Sequence, residues 1–557
     1  MDIFLKDYAH LIENGDSTLA VLCALRAAQD GDTLRLGGGE LHFRPDRAFT
    51  KEYYISNNDY NLKPIAFPLL GRRGLTVDGE GARLVFHGKM SPFVLDGCED
   101  VTLKNFAVDY AEPMYFEAKI LAADEHFVEM EYDDSQFHVD IIGDRFRFFG
   151  ENWENITPAV LVNEFEPSYK GPTPYTATYF ACVGKEKNTS FLGGMYRYLS
   201  AEKPAPNRLR LTGELGFCHT PGKYWLCTHN GRHYPGVFIT ESKRVTLTDI
   251  TLNHTLAMGV IGQLSEDLTL ERIIAEPSAG RMLSVDADAT HFVNCSGLLH
   301  MKDCRFESMM DDACNVHGIY LPVERKIDAR TALLRFGHFQ QKGINIFRPG
   351  DAIRLVTNVT LQPCGCFTVK SSTLISGDYL LLETEEDLPE PLPAGYAFEN
   401  HTRMPAVHFE GCVSGYNRPR GFLLSTCKPA LVENCAFHNM NAAIWIAGDA
   451  NSWYESGPCT EIVLRNNRFD NAAYAGGAVI VAAPELKTEG APPYHTNLRV
   501  ESNFFRLHEK RFMDLWSYDG VVFAGNTYVQ DDALPAQKPT GEDGFALREC
   551  QNTNIRP

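Results

Sequence analysis

The chain has 557 residues, a formal net charge of −20, 44% hydrophobic and 11% aromatic residues. That length admits two or three structural units. A surface this acidic repels nucleic acid, anionic membranes and polyanionic sugars such as pectate, which leaves a neutral small molecule or neutral glycan as the natural ligand. No apolar run reaches the roughly 18 residues of a membrane span, and the fifteen scattered cysteines, with no CxxC pair, read as reduced core thiols rather than a disulfide framework or zinc site.

The first residues, Met1 to Asp7, lack the basic and apolar regions of a signal peptide. The expected location is cytoplasmic, or secreted or periplasmic if a leader has been removed. Residues 17–30 form an amphipathic helix, capped by Asp16 or Ser17 and ended by Gly31. The alternating strand Asp32 to Leu36 follows. Together these make a lid for the open end of a solenoid, which would otherwise expose apolar core and unpaired strand edges.

A short pattern then recurs: alternating apolar residues, a polar turn with Asn or Asp, and a large apolar residue. It appears in Val101–Phe106, Val245–Ile250, Leu268–Ile273, Leu299–Phe306, Leu431–Phe437, Ile462–Phe469, Leu498–Phe505 and Val521–Tyr528. Spacings of roughly 20–36 residues, varying in the loops, are the signature of a solenoid. Asn or Asp at the turn suits left-handed backbone. Two stretches break the rhythm with alternating runs, Arg208–Leu211 in the first and Tyr379–Glu383 in the second. They read as inserted antiparallel modules. The fold class is therefore all-β: a parallel β-helix, or pectin-lyase-like solenoid, with inserted antiparallel β-barrel-like modules. The expected division is a cap and first coils over 1–110, a module over 111–235, central coils over 236–318, a second module over 319–403 and final coils over 404–557.

Polar groups concentrate in the central coils. Asp311 follows Asp288 by 23 positions, about one coil, which predicts that the two stack on neighbouring rungs roughly 4.8 Å apart. Asp311 and Asp312 are adjacent, and a regular strand would point one of them into the core at high cost. The pair is expected at a bend, with both side chains facing a cleft and one pKa raised by the other. Turn residues and a calcium site are the competing uses of such carboxylates, the latter without a recognisable spaced ligand loop.

The runs Asp286-Ala287-Asp288-Ala289-Thr290-His291-Phe292, Met309-Met310-Asp311-Asp312-Ala313 and Asn315-Val316-His317-Gly318 resemble the motifs of glycoside hydrolase family one hundred and ten. The resemblance implies a right-handed β-helix with β-barrel insertions. It also implies an exo-acting α-1,3-galactosidase that removes terminal α-galactose, as in blood group B antigens or linear α-1,3-galactosides, with inversion and with no metal or other cofactor. Asp311 would then be the general acid, and Asp288 and Asp312 would hold and deprotonate the attacking water. His291, Asn315 and His317 are candidate sugar ligands. Arg418, Arg420, Trp445, Asp449 and Trp453 follow in the next coils, with Trp453 the better candidate for an exposed ring. The layout of the aspartates also resembles that of polygalacturonases, but their Gly-His-Gly and Arg-Ile-Lys motifs are missing. The expected partner is a glycan with terminal α-galactose, with no nucleic acid and no membrane span; a homodimer is the expected assembly. Two other readings stand beside the galactosidase: another β-helix polysaccharide hydrolase or lyase, and a non-catalytic glycan-binding β-helix.

Overall fold

The computed structural model describes residues 1–155, 159–166, 168, 170–171, 175–183, 197–215, 218–229, 231–534 and 539–556. Its strands stack in parallel, and one inward-facing position can be followed through one wall. Leu34 lies opposite Val77, followed by Leu103, Leu247, Leu270 and Met301. The same row continues through Phe409, Val432, Leu464, Val500, Phe523 and Ile555. A second wall stacks Phe67, Phe93, Val237, Val260, Thr290, Cys314, Phe422, Ile444, Ile480 and Met513. The fold is a parallel β-helix, as the repeats predict. Period-2 alternation puts every second side chain of each rung into one continuous apolar core.

The turn residues explain the repeat. Asn105, Asp249, Asp303, Asn434 and Asn466 have φ between 51° and 60°, the left-handed region these residues tolerate best. Arg272 and Ser502 occupy the equivalent bends, with φ of 50° and 56°. Beside the later bends an asparagine ladder ties rung to rung: Asn503 Oδ1 accepts from the Asn467 amide at 2.8 Å, and Asn526 Oδ1 from the Asn503 amide at 2.9 Å. At the N-terminal end the helix Thr18–Ala27 buries Val21, Ala24 and Leu25 in the solenoid core. Asp16 caps it, accepting from the Thr18 amide at 3.0 Å.

Two inserted units flank the central coils. The first is a closed barrel of mostly antiparallel strands between Tyr115 and His229, with a small three-stranded sheet from His138 to Glu154 beside it. The second is antiparallel and has its own apolar core, including Leu334, Ile353, Leu380 and Phe398. The strand Cys314–Lys326 runs without a break from a rung of the solenoid into this unit. Outward-facing residues of the central coils therefore lie between the two inserts.

Candidate active site

The register of the second wall brings the carboxylates together. Thr290 pairs with Cys314, a step of 24 positions. The rung partner of Asp288 is thus Asp312, not Asp311 as the 23-residue interval predicts. The Ala289 amide donates to the Asp312 carbonyl at 2.9 Å. Asp311 and Asp312 sit in a bend just before the strand Cys314–Lys326, and both line a cavity of about 300 Å³ with Asp288. One oxygen of each of the three lies within 4.8 Å of the others.

Each carboxyl group has a different partner. Arg420 binds Asp312 with two parallel hydrogen bonds, Nε to Oδ1 and Nη2 to Oδ2, both 2.8 Å. This fork geometry is that of an ionised carboxylate. Arg232 donates to Asp311 Oδ2. Asp288 Oδ2 lies 2.6 Å from Nδ1 of His291, whose Nε2 lies 2.9 Å from Nε2 of His317. His317 Nδ1 is 2.7 Å from the Gly318 carbonyl. A carbonyl only accepts, so His317 Nδ1 carries a proton. Burial lowers the pKa of both imidazoles, His291 to about 4, and keeps them neutral. His317 Nε2 must then accept from His291 Nε2–H, which leaves His291 Nδ1 as an acceptor and Asp288 as the donor.

The electrostatics agree at Asp288: burial, with the neighbouring Asp311, pushes it up to about 8. Burial also pushes Asp312 up to about 8 against the pull of Arg420; its two guanidinium bonds decide the site in favour of the ion. At Asp311 burial works against ionisation, but Arg232, Arg418 and Arg420 outweigh it and hold the group below the usual carboxylate range. The resting site thus holds three carboxyl groups with one proton, on Asp288. The cluster is compact enough for a cation, but two guanidiniums and a histidine already engage its oxygens, and that donor set does not fit a metal.

The chain is similar to curated proteins along nearly its whole length. It is 32% identical to Alpha-1,3-galactosidase B of Akkermansia muciniphila over 98% of this chain and 67% of that one. It is 32% identical to Alpha-1,3-galactosidase A of Shewanella woodyi, covering 96% of this chain and 87% of the other. For Alpha-1,3-galactosidase B of Bacteroides thetaiotaomicron the identity is 31%, covering 94% and 85%. The chain belongs to the α-1,3-galactosidase family of glycoside hydrolases. Residues 331–396 match the family described as GLAA-B beta-barrel domain II, and lie in the second insert.

In this galactosidase-family chain, alternation on the second wall faces His291, Asn315, Leu423 and Trp445 outward in one row. Asn315, Leu423 and Trp445 line the cavity. His291 and His317 do not: they are fully buried, and their ring nitrogens are taken by Asp288, one another and a carbonyl. The expectation that they bind sugar is therefore replaced by a supporting place behind Asp288. Arg420 lines the cavity over the Trp445 ring at 5.4 Å. Arg418 does not line it and donates to the Met310 carbonyl at 3.2 Å. Asp449 lines it too, accepting from the amides of Asn451 and Ser452 at 2.6 and 2.8 Å and so shaping the loop that presents Trp453 to the cavity.

Four polar lining residues escape the sequence reading: Asn57, Arg232, Glu455 and Glu485. Asn57 Nδ2 donates to Glu455 Oε1 at 2.9 Å across 398 positions of sequence. Glu455 shares the polar loop of Trp453, which is the one local signal that could have found it. Arg232 stands where the first insert returns to the solenoid, in no recognisable motif.

Proposed function

We propose that the protein is an exo-acting glycosidase that removes terminal α-1,3-linked galactose from glycans such as blood group B or linear α-1,3-galactosides, with inversion at the anomeric carbon. The observation that carries this reading is the cluster of three aspartates, one oxygen of each within 4.8 Å of the others, on a cavity of about 300 Å³. Asp311 protonates the glycosidic oxygen, while Asp288 and Asp312, adjacent on neighbouring rungs, grip the attacking water and remove its proton. Inverting enzymes commonly separate acid and base by about 6.5–9.5 Å. One oxygen of each aspartate lies within 4.8 Å of the others, nearer the roughly 5–5.5 Å of retaining enzymes, so the stereochemistry of the product is the deciding measurement.

The resting pattern is the one such a cycle leaves behind. Each turnover moves one proton from Asp311 to the leaving oxygen and one from water to the Asp288 side. It ends with Asp311 ionised beside Arg232 and Asp288 protonated against His291, the arrangement of the empty site. A proton must return from Asp288 to Asp311 before the next bond breaks. Proton NMR of fresh product from an α-1,3-galactoside tests the stereochemistry: β-galactose appears first, and α-galactose appearing first overturns the inverting mechanism.

The same proton sets a pH dependence. Asp288 has a raised pKa, so the free enzyme keeps the required proton below about 8 and loses it above. The profile of kcat/KM should fall on the alkaline side with a limb near pH 8, tenfold per pH unit. Activity that stays flat to pH 10 contradicts the protonation scheme.

A further inference from the structure

A second cavity, of about 150 Å³, opens beside the first and is lined by Tyr54, Asn58, Tyr60, Phe339 and Lys342, among others. One loop reaches both. Asn57 faces the catalytic cavity and its neighbour Asn58 the second one. The Asn57 amide donates to the Gln340 carbonyl at 2.9 Å, and Gln340 Nε2 to Asp59 Oδ1 at 3.3 Å, tying the 54–60 loop to the second insert. Rings continue along the same line. Trp453, on the catalytic cavity, packs on His338 at 4.4 Å, and His338 packs on Phe339 at 4.6 Å. Across the second cavity Tyr54 and Tyr60 stack at 4.6 Å.

Three features mark this as a binding surface. Tyr60 and Phe339 are 51% and 50% exposed, large rings held in solvent at the mouth of a cavity, where ordinary core packing does not account for them. Asn58 is 3% exposed, yet its Oδ1 accepts no hydrogen bond; a buried carbonyl oxygen without a donor costs free energy that a ligand hydroxyl recovers. The one charged liner, Lys342, is already paired with Asp378 at 2.6 Å, so the surface offers aromatic faces and an amide rather than a charge. Flat rings with a polar edge suit the apolar face and hydroxyls of a neutral pyranose.

We infer that this cavity is an acceptor subsite, in which Tyr60 and Phe339 hold neutral sugar units of the glycan beyond the one that adjoins the scissile bond, while the terminal galactose occupies the first cavity. The inference rests on the proposed galactosidase reading and adds what that reading leaves open, a determinant of glycan length. The occupant is part of the substrate itself, because neighbouring residues of one loop, Asn57 and Asn58, line the two cavities, and the rings of Trp453, His338 and Phe339 lead from one to the other.

The test compares an α-1,3-galactosyl disaccharide with a linear tetrasaccharide bearing the same terminal linkage, using the full chain. Tyr60→Ala and Phe339→Ala should each raise KM for the tetrasaccharide about three- to tenfold and leave the disaccharide within about twofold. Tyr60→Phe, which keeps the ring, should behave as wild type on both. Unchanged tetrasaccharide kinetics in the double alanine variant overturn the subsite. Saturation-transfer NMR with the galactose-free trisaccharide reads the same cavity without catalysis: wild type binds it and the double variant does not. If wild type cleaves neither glycan, the functional reading fails, and trisaccharide binding still decides the subsite. No binding by wild type overturns it.

Discussion

Asp311→Asn should lower kcat/KM on an α-1,3-linked galactose disaccharide by about 10²–10⁴-fold, the usual worth of a general acid. At about 1.4 kcal/mol per tenfold, this is roughly 3–5 kcal/mol of lost transition-state stabilisation. The substitution is suited to the question because Asn keeps the size of Asp311 and an oxygen for Arg232 to bond, so the fold should survive. A sugar alkoxide is a poor leaving group and needs the proton; dinitrophenolate is a good one and does not. The same variant should therefore hydrolyse a dinitrophenyl α-galactoside within about tenfold of wild type. Asp288→Asn makes the contrast. It removes the hold on water, which both substrates need, and both rates should fall together. Near wild-type cleavage of the disaccharide by Asp311→Asn removes the acid from Asp311. Rescue of Asp288→Asn by the good leaving group, with none for Asp311→Asn, exchanges the two roles.

The sequence carries the solenoid plainly because its signal is local. Leu268, Leu270 and Ile273 alternate within six residues, and Leu270 then stacks between Leu247 and Met301. Each rung states its own inward face. Register is different: it depends on loop lengths between rungs, and the single-residue shift between an interval of 23 and a step of 24 was enough to exchange Asp311 for Asp312 as the partner of Asp288. The histidines show a second limit. His291 and His317 do face outward, as their positions require, but Gln263, in the row of His317 two coils earlier, binds the backbone of Ser56 and Tyr54. That brings the 54–60 loop over these coils, and whether an outward face is cleft or covered surface is set by a segment some 200 positions away. Arg232 and Glu455 were invisible for the same reason, since they reach the aspartates only through the insert and the far loop. The charges that partition the one proton among the aspartates are therefore tertiary features, while the aspartates themselves are legible in the chain.

Removing the charge partner of Asp312 should give the largest effect on stability. The carboxyl is 2% exposed and both its oxygens are engaged by Arg420. Breaking a buried pair by deleting one member leaves an uncompensated charge and costs about 3–5 kcal/mol. Arg420→Met keeps the stem over Trp445 and removes the guanidinium alone, so the loss is electrostatic rather than a cavity. The pH dependence follows from the direction of the Asp312 shift. In the wild-type fold Arg420 keeps Asp312 ionised against the upward push of burial; without Arg420 that push is unopposed and the folded pKa rises. A carboxyl raised in this way imposes no penalty below its unfolded pKa, near 4, where it is protonated in both states. From there the penalty grows as pH rises toward the folded pKa. Arg420→Met should thus be close to wild type in urea midpoint near pH 4 and progressively less stable toward pH 8. The companion variant Arg420→Met with Asp312→Asn has no charge left to bury, and should recover most of the loss at pH 8 while remaining inactive. A deficit independent of pH, or one that the second substitution deepens, shows that Arg420 acts through packing and not through the charge of Asp312.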